Sequence, residues 1–342
     1  MSSLSSQGFF MPAEWHPHDC CWMGWPCRIK TWGERMYEAK LAYAEIAQAI
    51  NQFEPVKMTA RPEDAEEARK MCGTQIEIVP LPMDDSWTRD SGPTFIIDRK
   101  GKLAGIDWEF NQWGADYPDC EDDADFARAL LNHISVEHFK APFVLEGGSI
   151  HVDGDGTLMT TEQCLLHPNR NPELDQEEIE QLLREHLNVH NIIWLGEGLM
   201  DDETDGHVDN LACFIKPGAV MALISSDPED ENYYVLQDNL LRLKHAKDAR
   251  ERSLEIITVE QPEARWKEDE RLAQSYINFY LPNKGIVMPA FNDPVHDNQA
   301  REIFEKVFPD REIIQLDAQE IVMGGGGIHC ITQQQPKALV IS

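Results

Sequence analysis

Residues 148–163 read GSIHVDGDGTLMTTEQ. Apolar and β-branched residues flank the Gly-Asp-Gly of positions 154–156, which is the chemistry of a tight turn joining two short strands. The plan returns in GPTFIIDRKGKLAGIDW (92–108), GHVDNLACFIKPGAVMALIS (206–225) and SYINFYLPNKGIVMPAF (275–291), with turns DRKG, KPG and NKG. DCCWMGWP (19–26) and GIHCITQQQPKALVIS (327–342) supply a fifth hairpin unit, shared between the two ends of the chain.

A helix follows most of these hairpins. DQEEIEQLLREHL puts Ile179, Leu182, Leu183 and Leu187 on one stripe, and NQAREIFEKVF does the same with Ala300, Ile303, Phe304 and Val307. Similar acidic, amphipathic stretches span about 34–53, 121–134 and 231–247. Short apolar strands come next: IEIVPLP, APFVLEGG, NIIWLGEG, LEIITVEQ and EIIQLDAQ. Hairpin, helix and strand, repeated five times, predict an α/β fold closed into a five-fold pseudosymmetric ring, each unit burying its face on the next. No Ser-rich or Pro-rich linker interrupts the repeats, so residues 1–342 read as a single catalytic domain.

The composition bounds what such a domain binds. Hydrophobic residues make up 42% of the 342, enough for a full core. Asp and Glu number 61 against 30 Lys and Arg, a net charge of -31 that repels nucleic acid and anionic membranes and attracts small cations. No apolar run approaches the roughly 18 residues of a membrane helix, and the N-terminus shows no secretory pattern. The 8 cysteines lack CxxC spacing, so neither a zinc ribbon nor a disulfide framework is expected. A reduced, cytoplasmic protein follows from these features, with homo-oligomerisation left open.

Against this frame the unusual polar residues fall into register. Asp90 stands just before the first full hairpin and Glu146 before the second; His207 and Asp209 open the third, and Cys330 opens the last. Equivalent positions of repeated units lie around one end of a ring, so residues far apart in sequence converge on an axial site. Cys330 follows four consecutive glycines, Gly324 to Gly327, which let backbone press against a flat ligand. Read as a strand, 328–330 turns His329 away from Cys330, while His207 and Asp209, two residues apart, share a face.

One thiol, one imidazole and three carboxylates result. A Cys-His pair supplies a nucleophile and an acid/base. Three buried carboxylates repel one another and oppose thiolate formation unless a cation lies among them. A guanidinium, planar with five N–H donors, satisfies them by bidentate hydrogen bonds. Its carbon is open to the thiolate, with His207 protonating the departing ammonia and later activating the water that frees a ureido product.

MPAEWHPHDCCWMGWP, DDSWTRDSGPTF, LEGGSIHVDGDGTLMTTEQCLL, DETDGHVDN and GGGGIHCITQQQP resemble, in order, the motifs of agmatine deiminases in the guanidine-modifying superfamily, a bacterial peptidylarginine-deiminase-like family. The resemblance runs from about Met11 to the C-terminus. It implies a five-fold α/β propeller and conversion of agmatine and water to N-carbamoylputrescine and ammonia, in putrescine biosynthesis, without metal or organic cofactor. It also implies Cys330 as nucleophile and His207 as acid/base, Asp90 and Asp209 clamping the guanidinium, and Glu146 binding guanidinium or orienting His207. Trp87 and Glu203 would meet the aminobutyl end of the substrate. Gly327 departs from the family, which usually carries Asn there, and so bears on substrate contact.

Other readings stay open. A deiminase of free arginine would need an arginine for the α-carboxylate, and Arg89, beside Asp90, is expected to face the other way. A secreted peptidylarginine enzyme would carry a signal peptide and further domains. A metallohydrolase would use His207, Asp209, Glu146 and Asp90 as ligands. A non-catalytic polyamine-binding protein would need the acids and not Cys330.

Overall fold

In the computed structural model, which describes residues 3–114 and 120–340, the hairpins are parts of open mixed sheets. Thr94–Asp98 pairs antiparallel with Leu103–Glu109, which pairs parallel with Glu137–Val144. His151–Val152, Thr157–Thr161 and Asn191–Leu195 repeat that order, as do Ala212–Lys216, Ala219–Ile224 and Glu255–Glu260. Gly285–Ala290 lies parallel to Glu312–Asp317. In the fifth sheet Thr332–Pro336 runs antiparallel to His18–Gly24, which is followed by Val56–Ala60 and Glu77–Pro80, so segments near the two ends of the chain share one sheet.

Each parallel step needs a crossover, and amphipathic helices provide it. Met36–Ile50, Glu121–His133, Gln176–Leu187, Tyr233–His245 and Pro294–Val307 occupy the stretches read as helical. The Gln176–Leu187 helix shows the local logic. Asp175 accepts from Glu178 N–H while the Glu178 side chain accepts from Asp175 N–H, a capping box; Asn188 ends the helix in the left-handed region at φ 58°. Ile179, Leu183 and Leu187 are buried along its inner stripe, whereas Leu182 sits at the edge and is only partly covered. Parallel strands covered on both faces are continuously apolar, as in Ile286, Val287 and Met288, each fully buried.

Three segments differ from the sequence reading. The antiparallel partner of Gly285–Ala290 shrinks to the single bridge Tyr280↔Val287. Pro282 offers no N–H, and the N–H groups of Ile277 and Asn278 turn back onto Ser275. The strand expected from 328 begins at Thr332, because Thr332 N–H bonds His329 O and closes 328–331 into a turn. Likewise Val208–Asn210 is a short 3-10 turn, not strand, and the strand starts at Ala212. A small hairpin, Trp266–Lys267 with Glu270–Arg271, was not anticipated; it turns at Glu268, whose φ is 57°. Among the described residues no helix is long and apolar enough to cross a membrane.

The stripe, more than the cap, should hold the Gln176–Leu187 helix in place. Leu183→Ala is expected to cost roughly 2–5 kcal/mol and Asp175→Ala about 1 kcal/mol in urea unfolding. The reverse ranking would contradict this account of the helix.

Candidate active site

Cys330 lies in the turn after the glycine run, its Sγ 3.6 Å from Asp209 Oδ2. The same carboxylate oxygen meets His329 Nδ1 at 2.8 Å, and His329 Nε2 reaches Glu14 Oε1 at 2.7 Å. His329 thus bridges two buried acids. It shares Asp209 Oδ2 with the thiol, and since 328–331 is a turn, strand alternation does not separate the two side chains.

His207 stands on the other side of the acids. Its Nδ1 is 3.8 Å from Asp90 Oδ1 and its Nε2 3.6 Å from Glu146 Oε2, both too long for hydrogen bonds. Glu146 is fully buried and takes Arg170 Nε at 2.8 Å. Arg170 also holds Asp205 at 2.6 Å and Thr204 O at 2.9 Å, so it ties Glu146 to the loop that delivers His207. Asp90 comes from the short helix Thr88–Ser91 and accepts Gly148 N–H at 2.9 Å and Trp113 Nε1–H at 3.0 Å.

Gly148 is what lets the three groups meet. A Cβ there would lie 2.5 Å from His207 Nδ1, 2.9 Å from Asp90 Oδ1 and 3.1 Å from Asp209 Oδ2. Gly326 plays the matching part opposite: a Cβ would lie 2.5 Å from the Trp87 ring and 3.1 Å from Cys330 Cβ. No side chain larger than hydrogen fits either position without moving the site.

Burial pushes the Cys330 thiol well above its ordinary range, and the Asp209 and Asp90 charges add to that. For His207 burial works the other way, yet Asp90, with Cys164 and Glu146, holds the imidazolium well above the usual histidine value. Burial also raises Asp90, against the pull of His207. Glu146 and Asp209 are buried too, but end below the usual carboxylate value: Glu146 through His207 and Arg170, Asp209 chiefly through His329. Burial and charge thus favour a charged imidazole and an uncharged thiol beside Glu146 and Asp209, whose charged forms are favoured, an arrangement suited to an incoming cation.

A cavity of about 490 Å³ opens onto this cluster, with Trp87, Asp90, Glu203 and Cys330 in its wall. His207, Glu146 and Asp209 stand behind that wall. Trp87 stacks on Trp32 at 5.7 Å, which fixes its ring. Glu203 keeps an exposed face at the mouth, and shielding of its carboxyl raises its pKa, opposed by Lys267. Two sequence readings change here. Gly327 faces Asn278 and not the cavity; Gly324, Gly325 and Gly326 line it instead. Of the two roles considered for Glu146, its position favours contact with His207 and Arg170 over contact with a ligand.

Several contributors escaped the sequence reading. Arg170 lies in NRNP, a stretch without a repeat position to flag it. Gln112 and Trp113 both adopt positive φ, 57° and 55°, a conformation that side-chain chemistry does not announce. Glu14 sits inside the MPAEW motif but marks no hairpin.

The ligand set considered for a metal does not assemble. Among the described residues the one group of three or more such side chains with donor atoms all within 4.8 Å of one another is Glu146, Cys164 and His207; Asp90 and Asp209 fall outside it. A dication there would sit against the buried Arg170 guanidinium, which already takes Glu146. His207, Asp209, Glu146 and Asp90 therefore do not form one donor set.

Residues 10–336 match the family model described as Porphyromonas-type peptidyl-arginine deiminase. A protein of Legionella pneumophila (strain Philadelphia 1) is 54% identical over 333 residues, 97% of this chain and 96% of its own length. The agmatine deiminase of Stutzerimonas stutzeri (strain A1501) is 44% identical over 99% of this chain and 100% of its own. Among solved structures, the agmatine deiminase of Enterococcus faecalis superposes with a TM-score of 0.95 at 36% identity, covering 99% of both chains. A match this complete shares the mixed α/β fold as well as the sequence, and the chain belongs to the Porphyromonas-type peptidyl-arginine deiminase family.

Proposed function

We propose that this protein hydrolyses agmatine to N-carbamoylputrescine and ammonia through an amidino intermediate on Cys330. The observation that carries the reading is the buried group of Cys330, Asp90 and Asp209 facing His207, which is backed by Glu146 and Arg170. Full-length likeness to agmatine deiminases supports the substrate.

The guanidinium enters between Asp90 and Asp209, whose carboxylates accept its N–H groups; Asp209 Oδ1, buried and without a partner among the described residues, is ready to accept one. The arriving positive charge offsets the two acids and lowers the cost of the thiolate, so the thiol proton passes to solvent as substrate binds. Sulfur attacks the guanidinium carbon. The C–N bond to one terminal nitrogen breaks as His207 gives it a proton, and ammonia departs. Neutral His207 then takes a proton from water, whose oxygen adds to the amidino carbon. Loss of sulfur from that carbon, with the hydroxyl proton passing to solvent, frees the ureido product and restores the thiolate, which is protonated again as the site empties. Glu146 acts as a positioning residue that keeps His207 charged and oriented.

The same reading extends to the chain as a whole. The five sheets ring one axis as a five-fold α/β propeller, residues 1–342 forming one catalytic domain whose terminal segments share a module. The repeated element order and the pairing of Thr332–Pro336 with His18–Gly24 support this. The product suits putrescine biosynthesis in the cytoplasm, and the charge of -31 suits a small cationic substrate over nucleic acid or membrane.

An ammonia-release assay with agmatine, free arginine and a blocked arginine peptide tests the substrate directly. Agmatine should exceed the others in kcat/KM by at least about 100-fold, because Glu203 at the mouth favours the free amine of agmatine and repels an α-carboxylate, while Arg89 is spent on Gln334 Oε1 at 2.8 Å. Faster turnover of either arginine substrate would sink the assignment. At the mouth, Glu203→Gln should raise KM for agmatine roughly fivefold, about 1 kcal/mol for a partly solvated ion pair, and leave butylguanidine almost unchanged. Equal losses for both would mean that the substrate amine is read elsewhere.

A further inference from the structure

The fourth glycine of the run has a task the substrate does not explain. A Cβ on Gly327 would lie 2.2 Å from Asn278 Oδ1 and 2.7 Å from its Cγ. Asn278 is 2% exposed and belongs to the turn that replaces the missing strand of the fourth hairpin. Its Oδ1 accepts His329 N–H at 2.8 Å, and its Nδ2 reaches Asn210 Oδ1 at 2.9 Å and Cys330 Sγ at 3.3 Å.

The amide's orientation is fixed from both ends. The backbone N–H of His329 can only donate, so it demands Asn278 Oδ1. At the far end Asp202 Oδ2, an acceptor, takes Asn210 Nδ2 at 3.2 Å, which leaves Asn210 Oδ1 to accept from Asn278. The NH₂ group of Asn278 therefore points at sulfur. Asp209, the other side chain near Sγ, is a carboxylate and supplies no proton to a thiolate.

We propose that Asn278 is a catalytic residue of the deimination, its Nδ2–H holding the Cys330 thiolate, and that position 327 is glycine to leave room for it. The inference rests on Cys330 as nucleophile. Of the groups that lower the thiol pKa against burial and the two acids, the leading ones are the Gly327 N–H and this amide. Removing one raises the pKa and moves thiolate formation to higher pH.

The test is the pH profile of iodoacetamide alkylation read at Cys330 by peptide mass spectrometry, with kcat/KM for agmatine in parallel. Asn278→Asp keeps the acceptor for His329 N–H and loses the donor to sulfur. It should shift the profile up by at least about one pH unit, so that alkylation below the midpoint slows about tenfold, and lower kcat more than it raises KM. Gly327→Ala, which pushes Asn278 aside, should shift it in the same direction. Profiles that coincide with the parent in both variants, with near-UV circular dichroism unchanged, would overturn the role of Asn278. Cys330→Ala distinguishes the underlying reading: retained turnover there would remove the nucleophile itself, whereas its loss alongside unshifted profiles would remove only Asn278.

Discussion

Buried negative charge beside a sulfur is the constraint on which the structure depends. Asp90, Asp209 and Glu146 are each almost wholly removed from water, and two of them flank a thiol. Such a group is costly unless cations balance it. The protein provides some of these itself: Arg170 for Glu146, and the two imidazoles, His207 between Asp90 and Glu146 and His329 between Asp209 and Glu14. Asp90 reaches the cavity wall, Asp209 Oδ1 just behind it has no hydrogen-bond partner among the described residues, and a planar cation completes the balance. The same charges that hold the free thiol protonated thus make its ionisation depend on substrate.

Holding these charges together demands backbone with no side chains between them. Gly148 admits His207, Asp90 and Asp209 to one point, Gly326 lays the chain against Trp87 and Cys330, and Gly327 admits Asn278. The pieces come from separate sheets, each from the segment just ahead of a hairpin strand. Repetition of the hairpin, helix and strand is what delivers them to one place, and function enters through the turns and not through the strands.

Much of this was legible in the sequence because it depends on period and turn chemistry. The crossover helices and the strands they feed followed from stripes such as Ile179, Leu183 and Leu187 and from runs such as Ile313-Ile314. The candidate residues were legible through their register: Asp90, Glu146, His207, Asp209 and Cys330 all precede hairpins. What escaped depends on backbone shape. Strand alternation does not separate His329 from Cys330, since 328–331 is a turn held by the Thr332 N–H and hydroxyl, and both side chains meet Asp209 Oδ2. Gly327 was read as facing substrate, but its neighbour Asn278 comes from a segment whose strand pairing gave way to local hydrogen bonds. Arg170 and Glu14 are charges that count only once the chain has brought them beneath the site.

The account turns on the sulfur of Cys330 taking up the amidino carbon. Rapid acid quenching of the enzyme turning over agmatine, followed by peptide mass spectrometry, reads this directly. An amidino group on the peptide bearing Cys330, absent from the other 7 cysteines and lost on longer incubation once substrate is exhausted, is the predicted result. Steady turnover with Cys330 unmodified at every quench time, or an adduct on Cys164 instead, would contradict it.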